Sequence, residues 1–514
     1  MRSHKKMVLM LSALTALSMA ACKKSFLERK PTDQAVTEDV FKTVEGAQAA
    51  VQGMNRLIYR IGDETNSFSF LSQCLTYDLM GEDMPINSFG SNWFVAEYSY
   101  IAARVPVDNG LYAWGYYYQF VNNANFIIAN VGNVVGDQGA KDMVKAQALT
   151  YRAWAYFNLC RLYQHTYKAI VSGSGTKWPG PVTKAPAVPL YAAPTQTPAP
   201  RAAMETVYKQ ITDDLTAAIA LFDGSGVNRS TKSEIDGHVA RGIYARVALE
   251  MQDWDKAATY AKEARAGFTY MTPADIGAGF NSVGNAEWIW GAAMNTEQSA
   301  PWYSFLAQMD QDNNMHSSRQ QKMINRQLYN KYLDTTGDAR KVWWTKTGDQ
   351  AAGYVPYSQR KFRAVTKGSY IGDYPLMRAG EMALTEAEAL AQQNKIAEAA
   401  AVFNEFVQTR RPNYTAPTNS SDTLIKEIWI QRRIELWGEG FRFFDIKRQQ
   451  ASFTAVKLLP NQIGLVRTVA QGHIVRIAGT SSMNFGQYAA AFLWRIPSGE
   501  FLANRTLGTA DQNP

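Results

Sequence analysis

The chain has 514 residues, 46% of them hydrophobic and 19% charged, and carries a net charge of +8. This composition is enough to bury a large core and excludes a disordered chain, and its lysines and arginines, scattered among aspartates and glutamates, do not form the basic stripe of a nucleic-acid binder. Length alone allows two to four ordinary domains or one continuous helical-repeat body.

Arg2, His4, Lys5 and Lys6 precede an apolar run from Met7 to about Leu17, and the small residues Ala20 and Ala21 stand just before Cys22. This is the layout of an export leader over residues 1–21, because the apolar run is shorter than the roughly 20 residues that span a bilayer. Met19-Ala20-Ala21-Cys22 resembles a lipobox, in which Cys22 is acylated and heads the mature chain; the alternative is a secreted protein with an ordinary small-residue cleavage site. Each buried methylene contributes roughly 0.8 kcal/mol, so several acyl chains hold a protein at a membrane where one would not. Loss of Arg2, Lys5 and Lys6 with the leader lowers the net charge to +5. Cys74 and Cys160 are then too few for a disulfide framework, and Cys160, inside a helical pattern, reads as a small buried hydrophobe.

Residues 64 to 110 are irregular and aromatic-rich. Helical periodicity then runs over about 111–165, with Ala146, Leu149, Ala153, Tyr156, Phe157 and Leu159 spaced to line one helix face. Lys177 to Arg201 holds seven prolines (Pro179, Pro181, Pro186, Pro189, Pro194, Pro198 and Pro200) and is expected to wrap the surface as a connector. Over about 203–265 helices return. One ends near Met251, and after a Gln252-Asp253 corner the next carries Trp254, Ala257, Ala261 and Ala264 at spacings of three, four and three. The spacing recurs at Ile396, Ala399, Phe403 and Phe406, with Ala245 and Ala387 at the equivalent offset in the preceding helices. Self-similarity of this kind predicts a mostly α, tetratricopeptide-like helical-repeat scaffold in one body over 22–514, although generic amphipathic hairpins share the pattern. Residues 280 to 375 form a second irregular, aromatic-rich stretch before the last helical block at about 375–449; ordered loops this long on a rigid frame usually carry a binding surface.

Several segments are similar to motifs of one family. Lys145 to Leu159 resembles the first repeat helix of the SusD/RagB family of outer-membrane nutrient-binding lipoproteins. Val188-Pro189-Leu190, Arg201 and Tyr208 to Leu215 resemble that family's linker and next helix, and Arg378-Ala379-Gly380-Glu381 leads to Glu386-Ala387-Glu388-Ala389-Leu390 in the same way. Gln431 to Leu436 followed by Glu439 to Arg448 is the sharpest match, and Ile496 to Glu500 with Asp511 to Pro514 matches the family's ending. The resemblance implies a binding protein, not an enzyme. It would capture oligosaccharide and sit over a SusC-like TonB-dependent transporter, anchored to the outer membrane through Cys22 and facing the cell exterior. Lys23 and Lys24 depart from the acidic residues that often follow the acylated cysteine in surface-exposed members, which leaves a periplasmic orientation open.

Chemistry other than recognition finds little support. The carboxylate pair of a glycoside hydrolase has candidates in Glu435, Glu439 and Asp445. These alternate with Arg432, Arg433, Arg442 and Arg448, which would pair with them and lower their pKa values where a hydrolase needs one raised. The chain has no zinc-protease motif, clustered cysteine or histidine ligands, nucleophile elbow or phosphate loop, so no metal or cofactor is expected. For a sugar, whose C–H-rich face rests on an aromatic ring while its hydroxyls need polar side chains, the expected contacts are Asn92, Trp93, Trp302, Tyr303 and Asp310. Asp78 and Asp83 join them as hydroxyl acceptors and Arg104 as a donor. Trp288 and Trp290 are expected in the core, and the Trp343-Trp344 pair is undecided. A peptide-nutrient receptor of the same architecture and a tetratricopeptide-like scaffold remain the alternatives.

Overall fold

The computed structural model describes residues 40–59, 68–100, 109–172, 177–295, 302–313, 315–334, 337–349, 351–452, 464–474 and 482–514. The leader and Cys22 lie outside them. Helices carry the architecture: α1 (Val44–Leu57), α2 (Phe70–Leu79), α3 (Asn109–Asn130), α4 (Gln138–Tyr163), α5 (Met204–Ser225), α6 (Gly237–Met251) and α7 (Trp254–Arg265), then α8 (Ala379–Gln392), α9 (Ile396–Gln408), α10 (Ser421–Glu435) and α11 (Arg442–Gln449). Short antiparallel pairs join β1 (Pro186–Pro189) to β2 (Arg201–Ala203), β3 (Trp288–Ala292) to β4 (Tyr374–Arg378), and β5 (Leu465–Thr468) to β6 (Ser482–Phe485). No described helix is long and apolar enough to cross a membrane.

From α3 to α9 each helix packs on the next, as in a stack of helical hairpins. Local chemistry sets the boundaries. Asp137, Asp236 and Ser420 cap α4, α6 and α10 by accepting backbone N–H groups of the first turn. The α6–α7 hairpin turns at Gln252, in the left-handed region with φ 56°, and Asp253 caps α7. The α8–α9 hairpin turns in the same way at Asn394, φ 62°. Ala245, Ala257, Ala261, Ala264, Ala387, Ala399, Phe403 and Phe406 are all fully buried, so small residues let the helices approach and the phenylalanines fill the next layer. Tyr244 of α6 stacks on Tyr260 of α7 with ring centres 4.3 Å apart. The hairpin α6–α7 packs directly on α8 although 113 residues, 266–378, separate α7 from α8 in the chain. The second loop-rich stretch is thus an insertion that leaves the helical stack unbroken.

The proline-dense connector is held by α4. Arg152 forms a two-pronged pair with Asp214 of α5, at 2.8 and 2.7 Å, and donates to Asn125 of α3 and to the carbonyl of Ala192 in the connector. Trp288 and Trp290 lie in the core as expected, and so do Trp343 and Trp344.

A buried ionic network fastens the insertion to the scaffold. Glu435 at the end of α10 accepts from Arg340 and Arg378, both in the insertion, and from Arg410 after α9. Glu287, beside β3, bridges Arg378 and Arg410 at 2.6 Å each. Glu439 takes Arg378 and Lys361, while Asp338 takes Arg340. The side chains of Glu287, Arg340, Arg378, Arg410 and Glu435 have no solvent exposure. Burial works to raise the Glu435 carboxyl, but the guanidinium groups of Arg410, Arg378 and Arg340 hold it well below the usual carboxylate range. Gly438 and Gly440, with φ 82° and 84°, make the turn into α11; a Cβ on Gly440 would stand 2.8 Å from the Cα of Cys74.

The C-terminal segment fastens the other loop-rich region. Arg467 of β5 donates to the carbonyls of Leu79, Gly81 and Tyr98. His473 meets the Tyr98 hydroxyl through Nδ1 at 2.8 Å and the Glu82 carbonyl through Nε2 at 3.0 Å. The second contact requires Nε2 to carry the proton. Burial, reinforced by the Arg467 guanidinium, pushes the imidazole down to about 3.

Replacing one member of the insertion network exposes its strength. Arg378→Met leaves Glu287, Glu435 and Glu439 without their shared guanidinium, and urea unfolding is expected to show a loss of about 3–5 kcal/mol. Lys209→Ala, which removes an exposed pair with Asp213 on α5, leaves the midpoint unchanged. His473 has a pKa lower in the folded protein than the 6.5 of the free imidazole, so below pH 6.5 the unfolded chain takes up a proton that the folded one refuses until about pH 3. Wild type is therefore expected to lose stability relative to His473→Gln as the pH falls from 6.5 to 4.5. A gap between their urea midpoints that stays constant over that range would remove His473 from the account.

Candidate ligand-binding site

Two segments more than 200 residues apart in the sequence, about 78–93 and 302–323, pair with each other. The first follows α2. Asp78, in the last turn of α2, accepts the backbone N–H groups of Gly440 and Arg442, and Asp83 pairs with Arg433 and Arg442. Both aspartates are 3% exposed. Their oxygens are taken up by the turn between α10 and α11, so their role is to seat this segment on the scaffold and not to accept hydroxyls. Burial pushes the Asp78 carboxyl up to about 7 in spite of its two N–H donors. The segment then runs out to Asn92, exposed and with φ 61°, and to the half-buried Trp93.

The second segment lies in the insertion. Ser304 caps a short helix, Phe305–Met309, and Asp310 organises the turn that follows. The Asp310 carboxylate accepts from the N–H groups of Asp312 and Ala364 at 3.0 and 2.8 Å, and its carbonyl accepts from the Ser317 hydroxyl. At 2% exposure it too is internal to the turn and presents nothing to a ligand. Beyond it the short helix His316–Arg319 leads into a stretch paired with the first segment. Ile86 bridges Lys322, the Met323 N–H donates to the Pro85 carbonyl, and the Gln321 N–H donates to Asn87. The Ser88 hydroxyl closes the pairing on the carbonyl of Arg319.

That pairing brings Trp93 and Trp302 against the same side chain. The His316 ring is edge-on to both, with centres 6.3 Å from Trp93 and 5.4 Å from Trp302. Trp302 is 54% exposed, a large apolar area for a soluble surface, and Tyr303 beside it is half-buried. Trp93 and Trp302 therefore flank one ring, with Asn92 and Tyr303 next to them in the chain, while Arg104 lies outside the described residues. A cavity of about 250 Å³ opens beside the pairing of the two segments, lined by Ile86, Asn87, Met323, Arg326 and His473 among others.

His316 has no counterpart among the residues expected from the sequence. It is 6% exposed, its Nε2 has no hydrogen-bond partner among the described residues, and burial, with Lys322 and Arg319 nearby, lowers its pKa. It therefore stands as a neutral ring between the two tryptophans. Nothing in the spacing of Trp93, Trp302 and His316 announces this, since only the pairing of 85–88 with 319–323 makes them neighbours. Lys322 lies under the same stretch, fully buried and bonded only to amide and carbonyl oxygens of Gln308 and Gln320, with its ammonium pushed down to about 7 by burial.

The carboxylates that invited a catalytic reading are paired. Asp445 bridges Arg432 and Arg448 and is held to about 2, and Glu439 is lowered by Arg378 and Lys361 against the effect of burial. Among the described residues no group of histidine, cysteine, aspartate and glutamate side chains is arranged to hold a metal.

Comparison with known proteins agrees with this architecture. Residues 26–257 match the model of a family described as starch-binding, associating with the outer membrane. A SusD-like protein of Bacteroides ovatus is 25% identical over 264 residues, and SusD-like protein P2 of Formosa agariphila 30% identical over 149. These matches cover 50% and 29% of this chain and 42% and 28% of those proteins. A SusD-like carbohydrate binding protein from Bacteroides vulgatus superposes with a TM-score of 0.75 at 27% identity, covering 91% of this chain and 98% of that one. A laminarin binding SusD-like protein shares the fold alone, with a TM-score of 0.63 at 19% identity over 92% and 99% of the two chains. The model of the SusD family matches residues 244–514, which hold the whole insertion, its ionic clamp and the glycine turn into α11, and the chain belongs to that family.

Proposed function

We propose that this protein is a lipid-anchored receptor on the cell exterior that binds an oligosaccharide and hands it to a SusC-like TonB-dependent transporter in the outer membrane. The observation that carries the proposal is the exposed Trp302 ring, which meets the buried His316 ring edge-on while Trp93 of the segment after α2 meets that ring from the other partner segment. A pyranose offers a flat C–H-rich face to such rings, and Asn92 and Tyr303 at the edge supply hydrogen-bonding groups for hydroxyls. The likeness to a carbohydrate binding protein over nearly the whole chain, and to a family described as starch-binding, supports the ligand class. The protein acts by holding and releasing its ligand, and the paired carboxylates of α10 and α11 serve packing. Acylation at Cys22 provides the anchor, and the transporter provides the partner surface.

Calorimetric titration of the chain lacking residues 1–22 against neutral, amino and acidic oligosaccharides tests the ligand class. Saturable heat with at least one sugar is expected, and Trp302→Ala is expected to weaken it several-fold, a loss on the order of 1 kcal/mol. Silence across the panel, with binding to peptides instead, would move the assignment to a peptide receptor of the same architecture. In cells, Cys22→Ser is expected to shift the protein from the membrane to the soluble fraction, and detergent extracts of the wild type should retain a large β-barrel partner.

A further inference from the structure

A second cavity, of about 350 Å³, lies away from the aromatic platform of Trp302, His316 and Trp93, between the end of α4, the connector and the C-terminal segment. It shares no lining residue with the platform, and its volume is within the range of roughly 300–1,000 Å³ usual for small-molecule sites. His165, Ser172, Lys177, Trp178, Gln487 and Tyr488 are among its walls.

Three observations distinguish it from a packing gap. His165 is 7% exposed and lines the cavity. Burial, together with the nearby Lys447 ammonium, pushes the imidazole down to about 3, so it is neutral and offers one donor and one acceptor. Tyr488 has φ 52°, in the left-handed region that a bulky aromatic residue rarely adopts. The conformation is held by Gln450, which receives the Tyr488 N–H at 2.7 Å and the Gln487 amide at 2.7 Å, and it sets the Tyr488 ring edge-on to His165, 5.8 Å away. Strain of this kind, stabilised by surrounding contacts, gathers at functional sites. Finally, Trp178 is fixed by the guanidinium of Arg201, 4.6 Å from its ring centre, and remains only half-buried.

The lining defines the ligand. Among the described residues that line the cavity there is no aspartate or glutamate side chain. The one lysine, Lys177, is already engaged with the carbonyls of Thr509 and Gln512, so an anion gains little. The rest of the described lining offers the Trp178 and Tyr488 rings, a neutral imidazole, the Ser172 hydroxyl, the Tyr488 hydroxyl, which donates to the Gln450 carbonyl, and the side-chain carbonyl of Gln487, whose amide nitrogen is taken by Gln450, beside the apolar Ile170, Val171 and Leu493. We infer that this cavity is a second saccharide site, independent of the platform, that takes a short neutral sugar of one or two units between Trp178, Tyr488 and His165.

The test uses the soluble chain lacking residues 1–22 and follows the His165 imidazole by NMR while maltose, cellobiose, laminaribiose or N,N′-diacetylchitobiose is added. A saturable shift of the His165 signals with at least one disaccharide is expected, and it should persist unchanged in the double variant Trp93→Ala/Trp302→Ala. Trp178→Ala should abolish it, and Ser172→Trp, which fills the cavity without removing a packing residue, should do the same in case the first variant unfolds. No shift with any of the four sugars overturns the inference, and so does a shift that vanishes in the platform double variant. Because the platform reading is tested by those same two tryptophans in calorimetry, either site can fail while the other stands.

Discussion

The seating of the insertion on the helical scaffold depends on a set of buried charges. Glu287, Glu435 and Glu439 on one side and Arg340, Lys361, Arg378 and Arg410 on the other come from the insertion, from the loop after α9 and from the end of α10. Such a network adds little net stability over apolar side chains of the same shape, because desolvation opposes the Coulomb gain. Its effect is on specificity. Each guanidinium has a fixed planar fork, and misplacing the insertion by an ångström or two would leave a charge unpaired in the core, so one docking is far below its alternatives in energy.

The helical stack supplies the rigid side of this clamp. Because α7 packs on α8 across the insertion point, the 113 intervening residues are free to build a surface without interrupting the repeat. Helices stacked on small residues give a stiff base, and an insertion fastened by a charge network inherits that stiffness. The segment after α2 is fastened from the other side, by Arg467, His473, Arg433 and Arg442. Trp93 and Trp302 are thereby held against His316 by two independent anchorages, which preorganises the platform before any ligand arrives.

Asp78, Asp83 and Asp310 show where inference from residue type goes astray. Each is an aspartate near glycine or aromatic residues in an irregular stretch, the profile of a ligand contact, and each is instead buried and caps backbone N–H groups or meets arginine. An aspartate that organises a loop and one that faces solvent from the same loop have the same local sequence, because the difference is made by partners outside it: positions 433–442 for Asp78 and Asp83, and Ala364 for Asp310. Glu435 and Glu439 illustrate the same point. The alternation of charges around them points to pairing with their own helix neighbours, as Asp445 does with Arg432 and Arg448, whereas their actual partners are Arg340, Lys361, Arg378 and Arg410.

The helical scaffold and the family were legible in the residues alone: periodicity, small residues at repeated offsets and the charged α10–α11 motif are local signals, and local signals survive in one dimension. A large ring in a polar loop is unusual enough to stand out in the sequence, and Trp93 and Trp302 are of that kind. The tertiary structure alone decided which polar residues face outward, that His316 joins Trp93 to Trp302, and that His165, Trp178 and Tyr488 enclose a second cavity. Those facts depend on contacts between distant segments, whose pairing is set by the global minimum of packing and buried charge and leaves no trace in the spacing of the residues themselves.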